Sequence, residues 1–149
     1  MEKVRGLKPF THDHHHGRML CWKIRAGIAK GVSFDRIKKY TDWFYTTYMT
    51  PHFEAEKKYV YPILGEDDPL VKKALASRRR LDRLFLGNKK PPEIALSLGE
   101  EKLELHIRTE ERKIFKRIQE VATPEQLKAL ERAYQEQEFE ENTEDVFWE

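Results

Sequence analysis

His52 and Glu56 stand four residues apart, and so do His106 and Glu110. On a helix, residues at that spacing share a face, with Cβ atoms about 5–6 Å apart. His106 and Glu110 fall on a line with Leu103 and Ile114, and His52 and Glu56 lie between Tyr48 and Tyr59. Both pairs therefore sit on apolar stripes, the faces that helices turn toward a core. An unpaired carboxylate is very costly in a core and must be neutralised, paired or bound to a cation. Two such carboxylates, each beside an imidazole, suit one metal ion or a pair, because a carboxylate can bridge two ions. Mixed N/O donors are a usual transition-metal set.

Helical periodicity fills most of the chain, and no run of alternating β-branched residues bounded by turns signals a strand. The first helical block runs from a Thr11 cap to about Lys30, and Gly31 ends it. The second starts at Ser33, with Asp35 in its first turn, and reaches Leu64. Pro51 lies inside it, and an interior proline predicts a kink or break. The third block runs from about Pro69 to Leu86 and the fourth from about Pro92 to Val121. Thr123, Pro124 and Glu125 then read as the start of a short fifth helix to about Glu140. The acidic tail, Glu141 to Glu149, carries Phe147 and Trp148, which predicts that it docks on the body of the protein. The expectation is an all-α single domain over residues 1–149. Its core covers about 10–121, and the extra helix and tail cover about 123–149.

Bulk properties exclude some functions. Lys+Arg number 28 and Asp+Glu 26, a balance that gives no general case for nucleic acid. No stretch of eighteen apolar residues argues for a membrane span, and Met1–Phe10 has no apolar run resembling a signal peptide. The one cysteine, Cys21, permits no internal disulfide and fits a cytoplasmic location. On an inward stripe, Cys21 reads as a small core residue. Arg78, Arg79 and Arg80 with Lys89 and Lys90 read as a solvated face and loop. No phosphate-binding glycine loop, Ser or Cys nucleophile motif or CxxC site is present.

A third source of imidazole precedes the two pairs: His12, His14, His15 and His16. Consecutive helical residues point about 100° apart, so one of the run His14–His16 faces inward. His14 shares a face with Gly17, Cys21 and Ile28 and is favoured, with His15 as the alternative.

Three segments carry a resemblance: His12 through Arg25, His52-Phe-Glu-Ala-Glu56 with Tyr61-Pro62, and His106-Ile-Arg-Thr-Glu-Glu111. Together they resemble the hemerythrin-like HHE cation-binding family over about residues 10–121. The resemblance implies an up-down-up-down four-helix bundle with a non-haem di-iron centre. It implies metal ligands at His14 or His15, His52, Glu56, His106 and Glu110, with the two glutamates bridging. Members of the family bind oxygen, sense oxygen or nitric oxide, sense or store iron, or help repair damaged iron centres. Dioxygen, nitric oxide or iron itself is then the implied small partner, and a binding or sensing protein is implied before an enzyme.

The departure lies in the third helix. Where the family offers a histidine, this chain reads Ala76-Ser-Arg-Arg-Arg-Leu81, with Arg78 at the expected place. An inward Arg78 can pair with Glu56 or Glu110 and replace a metal electrostatically. Two ions, one ion or a metal-free bundle acting as an interaction module thus remain open. An oxidase or peroxidase use of the same centre is a further reading.

Overall fold

The computed structural model describes residues 5–149, so the first four residues of the Met1–Phe10 stretch lie outside the described residues. All regular structure among the described residues is helical. A 3₁₀ turn, Arg5–Leu7, leads into α1, Lys8–Ala29. α1 begins before Thr11, because Pro9 sits in its first turn, where no N–H is needed. α2 is a continuous helical run over residues 34–64, capped by the Ser33 side chain on the Arg36 N–H. α3 spans Pro69–Leu86, with the Asp68 side chain capping Leu70. α4 covers residues 92–121, and α5 spans Pro124–Ala133. Thr123 and Gln126 form a reciprocal capping box at the start of α5.

Pro51 does not break α2, contrary to the expectation from its ring. A π-helical segment, Tyr45–Met49, immediately precedes it and closes with the Thr50 N–H bonded to the Tyr45 carbonyl. One extra residue in that turn absorbs the mismatch that a proline imposes on a regular α-helix. Two further π segments follow, Glu56–Val60 in α2 and Glu110–Ile114 in α4. Each begins on a glutamate of a His-x-x-x-Glu pair.

Two apolar clusters form the core. One gathers Leu20, Ile24, Ile37, Phe44, Leu81, Phe85, Leu96 and Leu103. The other gathers Phe10, Val60, Val71, Ala74, Ile114 and Ile118. Six of the buried polar residues, Asp13, His14, His52, Glu56, His106 and Glu110, stand where the helices pass from one cluster to the other. α1 and α3 meet the second cluster first and the first cluster last, whereas α2 and α4 meet them in the reverse order. α4 packs against α1, α2 and α3. α5 packs on the Arg5–Leu7 turn, where a Cβ on Gly6 would come within 3.0 Å of the Leu127 carbonyl oxygen.

α5 ends at Ala133, short of the expected Glu140, and the chain continues without regular structure. The reason is competition for its polar groups. The Gln137 N–H bonds Asp13, the Glu140 N–H bonds the Tyr48 hydroxyl, and Glu141 accepts from Tyr40 and Lys23. The tail docks as its aromatics suggest: Phe147 is 2% exposed, and its ring fills the space where a Cβ on Gly27 would stand. Arg36 holds Asp145 at 2.7 Å, and Lys30 donates to the Trp148 carbonyl. No helix among the described residues is long and apolar enough to cross a membrane.

Truncating Phe147 to Ala leaves a cavity against α1 and is expected to cost about 3–5 kcal/mol, read as a lower denaturation midpoint. Cys21 provides a pH test. Burial, aided by the nearby Glu100 and Glu104 charges, pushes its thiol up to about 12. A group bound more tightly to its proton in the fold contributes fully below its unfolded pKa and loses that contribution as pH rises to the folded value. The stability difference between the wild type and Cys21→Ala is therefore expected to be flat below pH 9 and to shrink from about pH 9 to 12. Urea titrations across that range measure it.

Candidate metal centre

α1 carries His14 inward, α2 carries His52 and Glu56, and α4 carries His106 and Glu110. All five are buried. Ligand atoms of His14, His52, Glu56 and Glu110 lie within 4.8 Å of one another, a group able to hold a metal ion. The His14 Nε2 stands 3.8 Å from both Glu56 Oε2 and Glu110 Oε1. The His52 Nε2 is 3.2 Å from Glu56 Oε1. His106 lies beside this group, its Nε2 2.9 Å from Glu110 Oε2. Glu110 thus faces His14 with one oxygen and His106 with the other.

Each of the three inward histidines is held by its far nitrogen. The His14 Nδ1 meets Glu111 at 2.9 Å, the His52 Nδ1 meets Asp13 at 3.1 Å, and the His106 Nδ1 meets the Ser77 hydroxyl at 2.8 Å. Partners on Nδ1 orient the ring and set the tautomer, leaving Nε2 aimed at the centre. The rings are also packed against phenylalanines: His14 stacks on Phe115, Phe10 meets His52 edge-on, and Phe53 meets His106 edge-on. Arg18 clamps Glu111 with a 2.8 Å bond. Asp13 accepts from Tyr134 and from the Gln137 N–H. The Tyr61 hydroxyl donates to Glu110 Oε2 at 3.1 Å.

The inner atoms lack such partners. His14 Nε2, His52 Nε2, His106 Nε2, both oxygens of Glu56 and Oε1 of Glu110 are buried and make no hydrogen bond. The close His–Glu approaches lack hydrogen-bond geometry, and of the three rings only His52 is pushed toward its charged form. Burying polar atoms without partners costs about 1–3 kcal/mol each, so a concentration of them needs a physical cause. The donor set of three imidazoles and two carboxylates fits a transition-metal cation.

Charge follows the same layout. Burial opposes a charge on His52, but Glu56 and Asp13 override it and raise the ring to about 9. Burial lowers His106 to about 4 and also lowers His14, despite the Glu111 contact. Burial would raise Glu56, yet His52 beside it holds its carboxyl below the usual range. Burial likewise opposes ionisation of Glu111, but its bonds to His14 and Arg18 carry it down to about 2.

His15 lies on the exposed side of α1, away from the group, and His16 is half-buried against Phe139. Arg78 does not enter the centre. Its guanidinium bonds Glu54, approaches Asp82 at 3.5 Å and lies 5.7 Å over the Phe53 ring. The inward position of α3 is Ser77, one residue earlier, which explains why Arg78 pairs with neither Glu56 nor Glu110. Reading helical stripes did not reveal Asp13, Glu111 or Ser77, although Asp13 and Glu111 adjoin His14 and Glu110 in sequence.

No family model matches this chain, and no curated protein and no solved structure matches it.

Asp13 links the tail to His52. Tyr134→Phe removes one of its donors and is expected to cost about 1–3 kcal/mol in chemical denaturation. An unchanged midpoint would show that the Tyr134 contact is dispensable.

Proposed function

We propose that this chain is a metal-binding protein of the hemerythrin-like type. In this reading it is an up-down-up-down four-helix bundle whose non-haem iron centre, a di-iron pair, binds or senses dioxygen, nitric oxide or iron. The observation that carries the reading is the set of orphaned inner atoms of His14, His52, His106, Glu56 and Glu110. The alternating order in which α1 to α4 meet the two apolar clusters supports the bundle topology. The resemblance of the His12–Arg25, His52–Glu56 and His106–Glu111 segments to the family supports the choice of iron.

His14, His52 and His106 would supply imidazole nitrogens to the centre, and Glu56 and Glu110 would supply its carboxylate oxygens. Reduced iron with vacant coordination positions supplies reversible binding of a small gas. The chain does the rest. Asp13, Glu111 and Ser77 fix the ring orientations. Phe10, Phe53 and Phe115 exclude water from the imidazole faces. The Tyr61 hydroxyl holds one oxygen of Glu110 in place.

Anaerobic loading with ferrous ion, followed by desalting and metal analysis, tests this. Wild type is expected to retain iron and to gain thermal stability. A metal present at a thousand times its dissociation constant adds about 4 kcal/mol. Glu56→Ala and Glu110→Ala are expected to lose both effects, while Arg78→Gln keeps them. A folded wild-type chain that retains no iron and melts at the same temperature would overturn the proposal.

A further inference from the structure

The centre is closed on most sides by aromatic rings and by the tail. One side is different. A cleft of about 360 Å³ runs between α3 and α4 and is lined by His106, Glu110 and Ser77. Its size falls in the range of small-molecule sites. Lys73 and Arg80 from α3 and Lys102 and Lys113 from α4 also line it. Glu110 is the one acid in that lining.

The four cations are arranged about the centre. α3 and α4 are joined by a short loop, and Ser77 meets His106 across them. Lys73 lies about one turn from Ser77 on one side, and Arg80 about one turn on the other. On α4, Lys113 and Lys102 stand about one or two turns either side of His106 in the same way. A cation pair thus flanks the Ser77–His106 contact at each end of the cleft. The ion pairs that Lys and Arg make among the described residues involve other cations, and none of these four takes part. A cleft lined by one sign of charge focuses its field and concentrates ligands of the other sign. His106 and Glu110 are the buried residues of its lining that belong to the centre, and each has an inner atom without a hydrogen-bond partner.

We propose that this cleft admits a small oxyanion of the carboxylate or phosphate class to the His106–Glu110 edge of the centre. Lys73, Arg80, Lys102 and Lys113 hold its charge there. The inference rests on the metal reading above and adds to it a class of anion that reaches the centre from this side. Guanidinium and ammonium groups bind carboxylate and phosphate through charge-assisted hydrogen bonds. An anion is drawn toward such a lining from solution. A bound metal's charge would offset that of Glu110 at the buried end of the cleft.

Calorimetric titration with inorganic phosphate and with succinate, each at low salt, tests this on both metal-free and iron-loaded chain. Wild type is expected to bind at least one of the two. The double variants Lys73→Gln/Lys113→Gln and Arg80→Gln/Lys102→Gln are each expected to weaken that binding tenfold or more. Lys57→Gln/Lys58→Gln, on the exposed side of α2, is expected to leave it unchanged. Helical circular dichroism checks the fold of each variant. Phosphate binding without succinate binding assigns the phosphate class, and the reverse assigns the carboxylate class. Absence of binding to wild type, equal binding to all variants, or equal loss in the Lys57/Lys58 control overturns the proposal. The two readings fail separately. A chain that retains iron but binds neither anion keeps the centre and loses the cleft. A metal-free chain that binds an anion through the four cations keeps the cleft and loses the centre.

Discussion

The burial of Glu56 and Glu110 is the constraint on which the rest of this structure depends. Both carboxylates are almost fully enclosed, and no arginine or lysine reaches either. In a low-dielectric interior such groups need positive charge or hydrogen-bond donors. Three imidazoles surround them, yet each imidazole spends its Nδ1 on an outer partner and presents Nε2 inward. In a metal-free state His52 can stay protonated between Asp13 and Glu56, which accounts for part of the compensation. The remaining inner atoms are left without partners. A cation between the carboxylates would satisfy oxygens and nitrogens together.

The outer partners link this polar layer to the whole fold. Asp13 receives Tyr134 and Gln137, so the segment after α5 bears on His52 through one carboxylate. Glu111 connects His14 to Arg18 on α1. Ser77 connects His106 to α3, the helix that supplies none of the inner donors. Apolar clusters on either side separate the layer from bulk water, except along the α3–α4 cleft. The docking of Phe147 against α1 and α2 matters for the same reason, because it seals one of those clusters.

Much of this was legible in the sequence, and the exceptions have more than one cause. The inward placement of His52, Glu56, His106 and Glu110 follows from apolar residues at helical spacing, and His14 follows from the face it shares with Gly17 and Cys21. The π segments left no such signal. Each inserts one residue into a helical turn and shifts the phase of everything after it. That shift lets Pro51 sit within an unbroken α2, and it lets both Glu110 and the adjacent Glu111 serve the centre. A regular stripe assigns the inward place to one of two neighbours and misses the other. The same one-residue margin separates Ser77, which faces His106, from Arg78, which turns to Glu54. The end of α5 was illegible for a different reason: its helical propensity yields to tertiary bonds that Gln137, Glu140 and Glu141 make with α1 and α2.

The most direct test of the account is anomalous diffraction at the iron edge from crystals of iron-loaded protein. The account predicts anomalous density between the Glu56 and Glu110 carboxylates, within coordination distance of the His14, His52 and His106 Nε2 atoms. It also predicts that Arg78 stays turned toward Glu54. An absence of anomalous density there, with the inner histidines and glutamates closing onto one another through hydrogen bonds, would contradict it.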